Sequence, residues 1–176
     1  MTDSPAILGR YVTAQDGEQV TVRLLNFPLQ VFEHARRHHD ELLREFALLA
    51  VRPPEELAER NLPADLITLI DTLGRRYAGV GDRTDTLRDA AVARGEAAMD
   101  LSYQVPRSVG PALVDLHELM ERADAYCRTE QLLTVAASPV DRAFRAWFIE
   151  QFISQAQGAD PVPWDGPMRS EDDSAS

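Results

Sequence analysis

Residues 29–51 read LQVFEHARRHHDELLREFALLAV, and this stretch decides the fold class. Phe32, Ala35, His39, Leu42, Phe46 and Leu49 recur at spacings of 3, 4, 3, 4 and 3, an apolar seam with a near-heptad period. The spacing predicts a helix of about six turns that must bury one face. Pro28 precedes it and suits a helix start; Pro53-Pro54 stops it.

Working outward, the residues before this helix carry the β-signal. Val20, Val22 and Leu24 alternate with Thr21, Arg23 and Leu25, which predicts a half-buried strand near 20–26 ended by Asn26-Phe27-Pro28. Ile7 to Thr13 could join it as a hairpin strand across Gln15-Asp16-Gly17-Glu18. After the helix, Leu66, Leu69, Ile70, Leu73 and Tyr77 predict a second long helix closed by Gly79-Val80-Gly81. A third is expected from about Thr84 to Met99. Residues 100–105 alternate briefly and predict a short strand that pairs with 20–26. A fourth helix runs from about Ser108 to Tyr126, and Leu132 to Val135 either extend it or form a turn. Ser138, Pro139 and Asp141 are a strong helix start, followed by the stripe Phe144, Trp147, Phe148 and Phe152 and a stop at Gly158. The reading is therefore a mainly α (α+β) protein, with a four- to five-helix bundle-like core and a small two- or three-stranded sheet at one side. Residues 1–19 form an N-terminal segment, 20–158 the single helical domain, and 159–176 a proline-containing then acidic tail expected to be largely disordered.

Composition excludes several function classes. The 176 residues carry a formal net charge of −11, which argues against nucleic acid and against an anionic membrane surface as partners. All basic residues are arginine, so Schiff-base, P-loop and kinase-type lysine chemistry has no residue to use. The single Cys127 cannot form an intramolecular disulfide and reads as a buried small hydrophobe. Without a signal-like N-terminus or a long apolar run, the expectation is a cytoplasmic chain.

The chemistry-bearing candidates are few. His34, His38, Glu41 and Glu45 fall within about 60° of one another on one helical face. That face is placed roughly opposite the apolar seam, as a solvated surface. His34 and His38 are nonetheless a metal half-site in spacing, and His117 is a candidate third ligand, though no metal site is favoured. His39, on the seam, reads as a satisfied core histidine that hydrogen-bonds a neighbour. No catalytic residue can be named, no cofactor is expected, and paired carboxylates such as Glu41/Glu45 are what an acidic chain produces by chance. Tyr77, Tyr103 and Tyr126 could serve an inter-helix small-molecule pocket.

Glu41-Leu42-Leu43-Arg44-Glu45-Phe46 after Leu24-Leu25-x-x-Pro28, Ala123-Asp124-Ala125-Tyr126-Cys127-Arg128 with Leu132-Leu133-Thr134, Phe144-Arg145-Ala146-Trp147-Phe148 and the Pro161-x-Pro163-Trp164 ending together resemble a group of small actinobacterial helical proteins. These are similar to accessory components found with partner-switching regulators: anti-sigma-factor kinases, their STAS-domain antagonists and phosphatases. The resemblance covers most of residues 20–165. It implies a non-catalytic regulatory module with a kinase or STAS-type protein as partner, and a second copy of the chain as another candidate. The expected contact residues are Arg37, Glu41, Arg44 and Glu45 on the first long helix, Arg142 and Arg145 on the last, and Trp164 as an exposed anchor whose removal leaves stability nearly intact. The alternatives are a metal-binding bundle using His34 and His38, and a small-molecule sensor.

Overall fold

The computed structural model describes residues 18–52, 68 and 83–169. Among them, β1 (Gln19–Pro28) leads into α1 (Leu29–Ala50); then follow α2 (Arg83–Ala93), β2 (Ala98–Pro106), a 3-10 turn (Arg107–Val109), α3 (Gly110–Arg128) and α4 (Pro139–Ala156). The protein is mainly helical with a small antiparallel sheet, as the sequence predicts. The expected hairpin strand at 7–13 and, apart from helical Thr68, the helix at 66–77 lie outside the described residues.

β1 and β2 pair antiparallel, with Val22 opposite Tyr103 and Leu24 opposite Leu101. The register shifts between Leu24 and Phe27. Asn26 sits there at φ 53, a left-handed conformation that asparagine tolerates better than most residues, and its N–H donates to the Asp100 carboxylate at 2.8 Å. The irregularity moves the inward side from even to odd numbers. Val22, Leu24 and then Phe27 are all fully buried, and the strand runs on to Pro28 instead of ending at Asn26.

Three helices end the same way. At α2, Gly95 N–H bonds Val92 O and Glu96 N–H bonds Ala91 O; Gly95 stands at φ 74. At α4, Gly158 N–H bonds Gln155 O and Ala159 N–H bonds Ser154 O, with Gly158 at φ 97. At α3 the same pair of bonds forms, but the left-handed residue is Glu130 at φ 57. Gly95 corrects the expectation of a helix to Met99. The chain turns at this glycine, and Ala98 and Met99 begin β2.

The core is one cluster. Val22, Leu24 and Phe27 of β1 meet Leu42 and Phe46 of α1, Leu113 and Leu116 of α3, and Phe144, Ile149 and Phe152 of α4. α4 also guards the outer edge of β1. The Gln155 amide accepts from Arg23 N–H at 2.9 Å and donates to Arg23 O at 2.8 Å, which satisfies an edge residue in both directions.

The tail is corrected in part. Residues 159–169 fold back onto the helices instead of being disordered, and Trp164 is buried at 4% exposure. The rest of the tail lies outside the described residues.

Candidate functional site

The face of α1 read as solvated is instead an interface. His34 and His38 are largely covered, with side chains 17% and 10% exposed. The reason is angular. Four residues advance a helix by about 400°, so His38 lies only about 40° from Leu42 and Glu45 about 60° from it. The buried arc is therefore wider than the apolar seam and takes in both histidines.

Each of these groups meets a named partner. His34 Nδ1–H donates to Asp141 Oδ2 at 2.7 Å, and the same oxygen accepts from the Ser138 hydroxyl at 2.7 Å. Ser138 Oγ in turn accepts from Asp141 N–H, which is the predicted cap of α4. His38 Nε2–H donates to Val135 O at 2.7 Å. Asp124, fully buried, accepts from Ala137 N–H at 3.0 Å and from Arg145 Nη2 at 2.7 Å. Arg145 reaches Glu121 as well. The Glu45 carboxylate takes three bonds from one short stretch: Leu133 N–H at 2.6 Å, Thr134 N–H at 2.8 Å and the Thr134 hydroxyl at 2.7 Å.

Residues 129–138 between α3 and α4 are thus pinned along their length by side chains of α1 and α3. Leu132 and Ala137 point inward at 5% and 7% exposure, whereas Leu133 and Val135 stand out at 90% and 79%. Beside them runs an exposed ridge of α1. Arg37, Glu41, Arg44 and Leu48 occupy positions adjacent to the His38 and Glu45 flank that holds the loop.

His39 sits deeper. It is buried, and neither ring nitrogen has a hydrogen-bond partner among the described residues. Burial, with His38 and Arg145 nearby, lowers its pKa to about 4, so the ring is neutral near pH 7. Cys127 is buried and its thiol is pushed up to about 12, chiefly by desolvation and then by Asp124 and Glu45. It is the inert core residue the sequence suggests.

The expected contact residues divide accordingly. Arg37, Glu41 and Arg44 are exposed and available, and Arg142 is half-buried. Glu45 and Arg145 are not surface contacts but internal fasteners, because a loop and a buried carboxylate claim them. Trp164 is not an exposed anchor: its ring packs edge-on against Phe144 and Trp147 at 5.9 and 5.5 Å between centroids. The sequence reading missed Asp124, Leu133 and Val135. A pair of apolar residues beyond a helix end, among Thr129, Glu130 and Gln131, was the available signal.

Among the described residues no group of three or more His, Cys, Asp and Glu side chains is arranged to hold a metal. His34 commits Nδ1 to Asp141 and His38 commits Nε2 to Val135, and His117 does not join them. For the small-molecule alternative, Tyr77 lies outside the described residues and the Tyr103 ring packs tilted against Phe152 at 5.5 Å between centroids. An open depression of 290 Å³ at the start of α1, with Glu33 and Arg37 in its wall, contains neither Tyr103 nor Tyr126.

Among the described residues no helix is long and apolar enough to cross a membrane. Compared with known proteins, the chain matches no family model, no curated protein and no solved structure.

Proposed function

We propose that the chain is a non-catalytic, cytoplasmic regulatory module of bacterial signalling that binds a protein partner through the α3–α4 loop and the neighbouring ridge of α1. The observation that carries this reading is the pinned loop with Leu133 and Val135 held out in solvent. Two large apolar side chains on an ordered loop lose little conformational freedom when they are covered, which is what a binding hot spot needs. The backbone at Glu130 adds to it. A non-glycine residue in the left-handed region at the loop's first turn is strain retained where the chain is presented. The surrounding charges Arg37, Glu41 and Arg44 give the patch a polar rim. The resemblance to accessory components of partner switching supports an anti-sigma-factor kinase or a STAS-domain protein as the partner class.

The test pairs Leu133→Asp with Val135→Asp in one variant and titrates it against purified kinase and STAS-domain proteins of the source organism. Wild type binds one of them, and the double variant binds at least about tenfold more weakly, about 1.4 kcal/mol, since the interface must desolvate two carboxylates in place of apolar side chains. Its melting temperature stays close to that of wild type, because both side chains are already solvated. Equal binding by wild type and variant, or no binding to either class, sinks the reading.

A further inference from the structure

The returning strap is held in an unusual manner for a mere tail. Val162 N–H donates to Gln151 Oε1 at 2.8 Å, and Val162 O accepts from the Trp147 indole N–H at 3.0 Å. Two residues on, Trp164 N–H donates to Leu25 O at 3.0 Å, and Trp164 O accepts from the Asn26 amide at 2.7 Å. Every second residue is thus gripped by both its backbone groups. Pro163 between them has no N–H to satisfy and faces solvent, as does Val162 at 56% exposure. Trp164 alone descends into the aromatic wall of Phe144 and Trp147.

That pattern is how extended, proline-containing peptides are recognised: backbone bonds supply affinity without regard to sequence, and one side-chain pocket supplies specificity. Gln151 and Trp147 come from α4, Leu25 and Asn26 from β1. The groove is therefore lined by residues outside the strap. The strap orders its own anchor through the Asp165-Gly166-Pro167 turn, in which the Trp164 indole N–H donates to Pro167 O at 3.0 Å. A Cβ on Gly166 would lie 2.3 Å from that indole ring, so only glycine lets the turn close over it.

We propose that the groove between β1 and α4 is a second binding surface, for an extended Pro-x-Pro-Trp segment of a partner protein, and that the chain's own Pro161–Trp164 occupies it in cis. The strap then acts as a built-in competitor. A segment tethered by a few residues works at an effective concentration in the millimolar range, so an external peptide enters only by displacing it. This surface is separate from the α3–α4 loop, and neither reading depends on the other.

The probe is a fluorescent peptide of residues 159–169, ADPVPWDGPMR. It is titrated by anisotropy against the full wild-type chain, full-length Gly166→Ala, which unseats the strap but keeps every groove residue, and full-length Trp164→Ala. Wild type binds it weakly, and Gly166→Ala binds at least about tenfold more tightly because the cis competitor is loosened. The same peptide with alanine for tryptophan binds neither. If Trp164→Ala is too unstable alone, the tryptophan peptide raises its melting temperature and the alanine peptide does not. A strap that is only structural gives no binding to wild type at millimolar peptide and no gain in Gly166→Ala, and either result overturns the proposal. A concentration-dependent dimer of the wild type that the free peptide dissociates assigns the outside segment to a second copy, and overturns the separate partner.

Discussion

α4 touches the rest of the molecule in two ways. Through Asp141 and Arg145, its first half meets α1 and α3 by hydrogen bonds and ion pairs at stated atoms. From Phe144 onward it meets β1, α1 and the strap through rings. Phe144 lies 5.5 Å from Phe27 and 6.3 Å from Phe32, and Phe148 lies 4.9 Å from Phe152. The aromatic end supplies area, which is strong and indifferent to small shifts. The polar end supplies direction: it fixes where the α3–α4 loop sits, at the cost of burying groups that must all find partners. One end holds the fold and the other aims it.

The largest expected effect breaks this comparison at the aromatic end. Phe152 is fully buried, so Phe152→Ala should cost about 3–5 kcal/mol in denaturant unfolding. Asp124→Ala at the polar end removes the acceptor of Ala137 N–H and of Arg145, but Arg145 keeps Glu121 and is partly solvated. Its cost should be smaller, about 2–3 kcal/mol. The two variants should also differ in kind. Amide exchange in residues 133–137 should accelerate in Asp124→Ala well beyond its loss of global stability, and in Phe152→Ala only in step with it. A larger loss in Asp124→Ala than in Phe152→Ala would invert the assignment of roles.

Acid separates the two ends next. Burial holds His39 at a pKa of about 4 against an ordinary 6.5. The unfolded chain therefore takes up a proton near pH 6.5, while the folded chain resists until about pH 4. The contribution is fully present above pH 6.5, fades as pH falls through that window, and is gone below about 4, a loss of about 3 kcal/mol. His39→Leu, of similar volume, should raise stability at neutral pH by about 1 kcal/mol, since two buried unpartnered nitrogens disappear. It should also flatten the acid limb between pH 6.5 and 4. An unchanged limb in urea midpoints measured across that range would clear His39 of the effect.

How much of this was legible follows from the range of each interaction. The α1 seam, the β1–β2 pairing, the Ser138 cap and the Gly158 stop are local or periodic, and the sequence carried them. Gly95 was legible too, as a glycine inside the helix expected to reach Met99, because a left-handed C-terminal turn favours that residue. The placement of His34 and His38 failed because a seam marks only the centre of a buried arc, and the arc's width depends on which neighbours flank the helix. The strap was illegible for a different reason. Its composition is that of a disordered tail, and what orders it is Trp147 and Gln151 of α4 together with Leu25 and Asn26, the last two more than a hundred residues away. Composition reports whether a segment can build its own core, not whether another core will take it.

The smallest expected effect sharpens the loop's side of the comparison. α2, α3 and α4 end in the same pair of backbone bonds, with glycine at the left-handed position in two and Glu130 in the third. An L-residue there costs roughly 1–2 kcal/mol relative to glycine. Glycine returns part of that as greater freedom of the unfolded chain. Glu130→Gly should therefore stabilise by about 0.5–1 kcal/mol, readable as a raised denaturation midpoint at unchanged slope. Glu130 is exposed, so nothing in the core selects glutamate at this position. If the strain belongs to presentation of Leu133 and Val135, the stabilised variant should bind its partner less well despite folding better. If binding is unchanged, the strain is incidental to the turn, and the loop's aim rests on Glu45, His38 and Asp124.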